Sequence, residues 1–233
     1  MVATAPQFPI RCRGILFDMD GTLIDTTVIV ERYWEIWCKA HNINYSELIA
    51  TSHGRTSRSI MEQWAPLDRR ERYMTQEYLQ ELEKSVVEDT DGMIIIPGAR
   101  ELLEYLPSTK WAVVTSAGRS MAEGRFEQTG LKTPPILITS TEILRGKPDP
   151  LGYVTGAERL GLKPEDCVVF EDAPNGIRAG IAASAKAVIG MDTGTAPREQ
   201  LVEAGANPII KSFEDLDIKV LDDGWIEISQ KTA

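Results

Sequence analysis

Apolar positions along this chain change their period twice. The run Ile15-Leu16-Phe17 is unbroken and stops abruptly at Asp18, the pattern of a buried parallel strand. Further on the spacing becomes helical. Val30, Tyr33, Trp34 and Trp37 fall at i, i+3, i+4 and i+7, with Glu31, Arg32, Glu35 and Lys39 on the other faces. That helix is predicted to fade near His41-Asn42. Thr56 or Ser57 suits the N-cap of a second helix carrying Ile60, Met61 and Trp64. Beyond Pro66, Asp68 and Glu71 have the spacing of a capping box, and Met74, Tyr78, Leu82 and Val86 recur at steps of four on a third helix. No strand pattern occurs between about Asp25 and Gly92.

The apolar run Met93-Ile94-Ile95-Ile96 before Pro97-Gly98 marks a return to strands, and from there strands and helices alternate. Leu102, Leu103 and Leu106 lie on a helix stopped by Pro107. Trp111–Val114, Ile136–Ile138 and Cys167–Phe170 are predicted as buried strands. Helices are predicted near Ser120–Gln128, with Gly130 as the stop, before Gly161, and over Asn175–Ala185. Ala187–Ile189 and Pro208–Ile210 are short candidate strands, and Asp222-Asp223-Gly224 between Ile218–Val220 and Trp225–Ile228 reads as a terminal hairpin. Residues 1–10 read as a loose tail. The fold class that follows is α/β: a Rossmann-like parallel sheet with helices on both faces, plus an inserted all-helical unit. The predicted division is a core domain of residues 11–25 and 93–233 and a helical cap domain of residues 26–92.

Composition narrows the class. With 233 residues, 42% of them hydrophobic, the chain can bury a sizeable core. A net charge of −10 speaks against a nucleic-acid partner. No run is as long as a membrane span and the first residues carry no apolar leader core, so a soluble, cytoplasmic protein without a membrane partner is expected. Cys12, Cys38 and Cys167 are odd in number and far apart, which fits reduced, buried thiols. A monomer or weak dimer is expected.

Three of the predicted strands end in polar residues of useful kinds: Asp18 and Asp20, Thr115 and Ser116, Glu171 and Asp172. In a parallel sheet these ends share one edge, where ligands bind. Two aspartates one residue apart repel unless a cation lies between them, and carboxylate oxygens suit Mg²⁺. Gly21 permits a sharp turn and a close ligand approach. A phosphoryl group in transfer needs a nucleophile, a cation and donors around its equator. Asp18 can attack to give an aspartyl-phosphate, and Asp20 can protonate the leaving alcohol and then activate water. Asp18 with Asp172 can hold Mg²⁺, and Glu171 either binds the metal or orients its waters. The Thr115 hydroxyl and the Ser116 N–H can bind phosphate beside Lys147, which follows a fourth strand on the loop Gly146-Lys147-Pro148. Singly, each has a bland alternative: Thr115 and Ser116 as helix caps, Lys147 as a surface lysine, Glu171-Asp172 as a turn. Their joint occurrence in this order favours chemistry.

The chain resembles the haloacid dehalogenase superfamily of phosphohydrolases. Asp18-Met19-Asp20-Gly21-Thr22-Leu23 matches the first motif of that family, and Thr115 at the end of an apolar strand matches the second. Lys147 in Gly-Lys-Pro-Asp-Pro matches the third, and Glu171-Asp172-Ala173-Pro174-Asn175-Gly176 the fourth. The resemblance implies Asp18 as nucleophile and Asp20 as acid and base. It implies a Mg²⁺ held by the side chains of Asp18 and Asp172 and the backbone carbonyl of Asp20, and a small phosphate ester as substrate. The stretch Ser52-His53-Gly54-Arg55-Thr56 is similar to that of sugar- and polyol-phosphate phosphatases, among them fungal glycerol-phosphate and 2-deoxyglucose-6-phosphate phosphatases and bacterial hexitol phosphatases. His53, Gly54 and Arg55, with Glu31 on the first helix of the insert, are the candidate substrate-binding residues. The alternative for them is a helix–helix connection whose arginine pairs with a surface acid. A sugar phosphomutase uses the same four motifs and is the competing activity. A non-catalytic protein that binds a phosphate ligand is the competing class, although no motif residue is lost.

Overall fold

The computed structural model describes residues 8–231. β1 (Ile10–Cys12) and β2 (Gly14–Phe17) come first, and β3 (Ile24–Asp25) leads into five helices. These are α1 (Thr27–His41), α2 (Tyr45–Ser52), α3 (Ser57–Trp64), α4 (Arg70–Tyr73) and α5 (Gln76–Glu88). β4 (Ile94–Ile95) follows them. The chain then alternates through α6 (Ala99–Tyr105), β5 (Trp111–Val114), α7 (Arg119–Thr129), β6 (Leu137–Ile138), α8 (Leu151–Arg159) and β7 (Cys167–Glu171). It continues through α9 (Pro174–Ala182), β8 (Ala187–Met191), α10 (Arg198–Ala204) and β9 (Ile209–Ile210), then β10 (Leu216–Val220) and β11 (Ile226–Gln230).

Six strands form one all-parallel sheet in the order β6-β5-β2-β7-β8-β9. The chain leaves β2 on one side through β5 and β6 and returns to its other side as β7, so the strand order reverses beside β2. Successive side chains point to opposite faces, and helices cover both. Ile15, Phe17, Trp111 and Val113 pack with Leu102, Leu103 and Phe126 from α6 and α7. On the other face Leu16, Ala112 and Val114 pack with Tyr153, Ile177 and Leu201 from α8, α9 and α10. The α/β class and the parallel sheet agree with the alternation in the sequence.

Several elements differ from the expectation. Met93–Ile96 does not join the parallel sheet. Only Ile94–Ile95 is a strand, and it pairs antiparallel with Ile24–Asp25, so the chain's two crossings into the helical insert run side by side. Ile94 is 59% exposed, which an apolar run alone does not reveal. α2 is too short to register as a periodic pattern, but Asn44 marks its start by accepting from the N–H groups of Ser46 and Glu47. Asp68 caps nothing: α4 begins without a side-chain cap, and the long helix starts at Gln76, where Thr75 Oγ1 accepts from the Tyr78 N–H. Met74 therefore ends α4 instead of opening α5. The terminal hairpin is present, and β1 adds to it as a third antiparallel strand. The expected tail is thus already paired at Ile10, while its residues 1–7 lie outside the described residues. All three cysteines are free and buried. No helix among the described residues is long and apolar enough to cross a membrane.

Candidate active site

The ladder itself aims the acids. Phe17 is in register with Val113 and Phe170, so Asp18 emerges between Val114 and Glu171. Its N–H donates to Phe170 O at 3.0 Å. The chain then doubles back: the N–H groups of Leu23 and Ile24 donate to Met19 O, and the Gly21 N–H donates to Ile24 O. This turn needs φ +81° at Gly21, and a Cβ there would lie 2.0 Å from Asp172 Oδ2. Glycine is what lets the backbone after Asp20 lie against Asp172.

Asp18, Glu171 and Asp172 are buried and offer carboxylate oxygens within 4.8 Å of one another. Lys147, also buried, donates to Asp18 Oδ1 and to Glu171 Oε1, the latter at 2.6 Å. Glu171 is fully engaged. Its Oε1 also accepts from the Tyr153 hydroxyl at 2.8 Å, and its Oε2 accepts from the N–H groups of Asp172 and Ala173 at 3.0 and 3.1 Å. Asp172 is not: Oδ1 accepts from the Thr22 hydroxyl at 3.1 Å, while Oδ2 is buried with no hydrogen-bond partner. An orphaned buried carboxylate oxygen is costly, and a hard divalent cation is the partner such a donor set suits. The residues therefore fit Mg²⁺, with Asp172 as the free ligand and Glu171 committed to holding Lys147.

Charge balance tells the same story. Burial pushes the Asp18 carboxyl well above its usual range, with Lys147 opposing and Glu171 and Asp172 adding to the rise. Burial, reinforced by Glu171, pushes Asp172 up to about 7. Burial disfavours the Lys147 ammonium, but Asp18 and Glu171 outweigh it and raise its pKa. One lysine faces three acids, so the cluster is short of positive charge.

The Asp20 side chain is not part of that cluster. It lines the cleft, accepts from the Thr26 hydroxyl at 2.7 Å, and has its pKa raised by burial against the pull of Thr26 and Arg125. Thr115 is buried at the end of β5 and accepts from the Ala117 N–H at 3.0 Å. The Ser116 hydroxyl reaches across to the insert and donates to Gly54 O at 2.8 Å.

His53, Gly54 and Arg55 line the cleft from the insert side. Gly54 has φ +73°, and a Cβ there would sit 2.8 Å from Ala173 Cβ, so this loop touches the turn after Asp172. The Asn175 amide donates to His53 O at 3.4 Å. His53 Nε2 lies 3.5 Å from Glu31 Oε1, and burial lowers its pKa against that neighbour. Glu31 does not line this cavity; with His53 it lines a second one. Arg55 borders the cavity, yet its nitrogens are taken within the insert. Nε donates to Ser59 Oγ at 3.2 Å, Nη1 to Gln63 Oε1 at 2.6 Å and Nη2 to Ser59 O at 2.7 Å. Trp34 packs in the core and also forms part of the cavity wall.

Sequence reasoning gave no role to Thr22, Thr26, Tyr153 or Arg125. Thr22 stands inside the first motif and Thr26 just beyond it. Tyr153 and Arg125 carry no local signal. Arg125 is fully buried on α7 and donates to Val86 O at 2.8 Å and Asp89 O at 2.9 Å, closing the C-terminal end of α5.

A model of the haloacid dehalogenase-like hydrolases matches residues 12–184. Hexitol phosphatase A of Escherichia coli (strain K12) is 34% identical over 210 residues, covering 89% of this chain and 94% of that protein. The 2-deoxyglucose-6-phosphate phosphatase 2 of Saccharomyces cerevisiae is 35% identical over 235 residues, covering 91% of this chain and 92% of that protein. Among solved structures, a hydrolase from Pseudomonas syringae superposes with a TM-score of 0.69 at 26% identity, covering 85% of this chain and 92% of that one.

Proposed function

This chain belongs to the haloacid dehalogenase-like hydrolases, and from that premise we propose that it is a Mg²⁺-dependent phosphomonoesterase of a small sugar or polyol phosphate. The observation that carries the reading is the meeting, at one sheet edge, of Asp18, the Lys147 ammonium and an Asp172 oxygen without a partner. The likeness to a hexitol phosphatase and a deoxyglucose-6-phosphate phosphatase supports the substrate class.

In this reading the Asp18 carboxylate attacks phosphorus in line with the ester oxygen. The P–O bond to the alcohol breaks, and Asp20 gives its proton to the departing oxygen. A pKa raised by burial suits an acid that must hold a proton near neutral pH. The ionised Asp20 then takes a proton from water as that water attacks the aspartyl-phosphate, and phosphate and free Asp18 result. Lys147 supplies positive charge to the phosphoryl oxygens, and Glu171 and Tyr153 hold it there. The Thr115 hydroxyl and the Ser116 N–H act as donors to the same group. The side chains of Asp18 and Asp172 and the carbonyl of Asp20 would hold Mg²⁺. When bound, the ion offsets the charge of the phosphoryl group, so that a carboxylate can approach an anion.

Residues 26–92 act in this reading as a cap domain over a core of residues 11–25 and 93–233, with the paired Ile24–Asp25 and Ile94–Ile95 at its base. The cap loop reads the alcohol: His53 and Gly54 directly, Glu31 by orienting His53, and Arg55 by holding the loop. Phosphate release from a panel of sugar and polyol phosphates, with Mg²⁺ and with excess chelator, tests the proposal. Turnover that chelation abolishes, with a burst of alcohol in the first turnover, is the expected result. No release from any ester, or full activity in chelator, overturns it.

A further inference from the structure

The two ends of the cleft carry opposite chemistry. One end holds the carboxyl groups of Asp18, Asp20 and Asp172. The other is walled by Val30, Trp34, Ile60, Leu82, Val86 and Met121, with the hydroxyls of Thr27 and Ser57 among its polar groups. The cavity measures about 110 Å³, of the order that holds a benzene-sized molecule.

Among the described residues no cation with a free donor lines this wall. Lys147 is held by Asp18 and Glu171. Arg55 is bonded to Ser59 and Gln63, and Arg125, which does not line the cavity, donates to the carbonyls of Val86 and Asp89 and keeps a buried Nε without a partner. Burial disfavours a charge on His53. Behind the wall on the Ser57 side stands a carboxylate. Glu83 follows Leu82 on α5, and the Ser57 hydroxyl donates to its Oε1 at 3.1 Å. A Cβ at Gly118 would fall 2.0 Å from Glu83 Oε2, so the glycine that precedes α7 leaves room for that carboxylate. Burial raises the Glu83 pKa, and the Ser57 hydroxyl and the Gly118 N–H pull it back toward the ionised form.

We infer that the far end of the cleft is a charge filter, with Glu83 as its specificity-determining residue: it admits uncharged leaving alcohols and rejects esters that carry a second anionic group. The inference rests on the phosphomonoesterase reading above. A second phosphate or carboxylate on the leaving group would lose its water against an apolar wall, meet no cation with a free donor among the lining residues, and have Glu83 behind Ser57. A sugar phosphomutase has to seat a bisphosphate with either phosphate at the far end, so the filter also works against that activity.

Matched substrate pairs test this in the full chain with Mg²⁺. Each neutral sugar or polyol phosphate that the enzyme turns over is compared with a counterpart bearing a carboxylate or a second phosphate. Examples are glycerol 3-phosphate against 3-phosphoglycerate and glucose 6-phosphate against glucose 1,6-bisphosphate. p-Nitrophenyl phosphate reports the chemistry alone. The neutral member is expected to lead in kcat/KM by about a hundredfold or more. In Glu83→Gln that gap is expected to narrow by about tenfold. Pairs with comparable kcat/KM, while p-nitrophenyl phosphate is hydrolysed, overturn the filter and leave the phosphatase reading standing. A gap of full size in a folded Glu83→Gln protein overturns the assignment to Glu83. No release from any ester, p-nitrophenyl phosphate included, overturns both readings.

Discussion

The sheet edge and the helical insert face each other across one cleft and are held by different forces. On the sheet side the functional groups are buried carboxyls and a hydroxyl whose positions the ladder fixes: Asp18 just past β2, Thr115 past β5, Glu171 and Asp172 at the end of β7. The charged centre of this side is locked by several partners. Lys147 sits between two carboxylates, and Glu171 accepts from Lys147, Tyr153 and two backbone N–H groups. On the insert side the surface is mostly apolar or hydroxylic, and its charged groups, Arg55 and the Glu31 beside His53, are bonded within the insert. Its loop at His53-Gly54 meets the core through single links, Ser116 Oγ to Gly54 O and Asn175 Nδ2 to His53 O. Rigid charge is where transition-state stabilisation comes from, and replaceable packing is where selection among alcohols comes from. Damage to the first side should cost rate on every ester, and damage to the second should cost selectivity.

The largest effect belongs to Asp18. In Asp18→Asn the kcat is expected to fall by about 10⁴-fold or more on every ester, aryl and alkyl alike. The melting temperature should hold or rise, because an amide replaces a carboxyl whose charge burial disfavours. Phosphate release and a thermal scan on the same preparation check both halves. Asp20 comes next and brings the two sides together, because the need for an acid depends on the leaving group. Asp20→Asn is expected to lose about 10²- to 10³-fold on a sugar phosphate, and markedly less in the first turnover of an aryl phosphate, whose oxygen departs unprotonated. Equal losses in single-turnover measurements on both substrates would remove Asp20 from the acid role.

The two sides also differ in how far the sequence discloses them, and for a physical reason. Ile15-Leu16-Phe17 before Asp18, Trp111–Val114 before Thr115 and Cys167–Phe170 before Glu171 are local patterns, and a parallel sheet gathers their ends without further information. Met93–Ile96 has the same local character and lies outside that sheet, because its partner is Ile24–Asp25 and nothing in the run itself specifies that pairing. Tyr153, Glu83 and Arg125 gain their roles from Glu171, Gly118 and the end of α5, all reached only through the tertiary fold. Arg55 is an intermediate case. The loop around it stands out in the sequence. That Ser59 and Gln63 occupy its nitrogens follows only once α3 is known to begin at Ser57, which sets Ser59 and Gln63 one turn apart on one face.

Without a cation the charged floor should be its own weak point, and pH exposes that. Asp172 has its folded pKa raised from 3.8 to about 7, and that of Asp18 is raised as well. The folded protein thus binds these protons more tightly than the unfolded chain. The resulting stability is present at low pH and is lost as pH climbs through the folded values. The metal-free melting temperature is expected to drop by about 5 °C between roughly pH 5 and pH 8. Mg²⁺ should restore it at the upper end and do little at the lower, where protons compete for the same oxygens. Thermal scans in chelator and in Mg²⁺ at both pH values decide it, and a metal-free protein that gains stability across this range would contradict the charge balance of the floor.

The smallest effect is expected where the insert carries its own charge. Arg55 donates to Ser59 and Gln63, so its removal loosens the loop through Gly54 without taking a ligand away from the substrate. Arg55→Ala should lower kcat/KM on a sugar or polyol phosphate by about three- to tenfold, mostly through KM, the loss of a few partly exposed hydrogen bonds. His53 faces the cavity with Glu31 behind it. His53→Ala should cost about tenfold on the same ester and little on an aryl phosphate that needs no contact with the loop. The comparison turns on the order of these two. If Arg55→Ala costs a hundredfold or more on the sugar phosphate and spares the aryl phosphate, the guanidinium leaves Ser59 and Gln63 to bind substrate. The insert would then select by charge as the sheet edge does, and the division between a charged floor and a neutral wall would fail at its most exposed point.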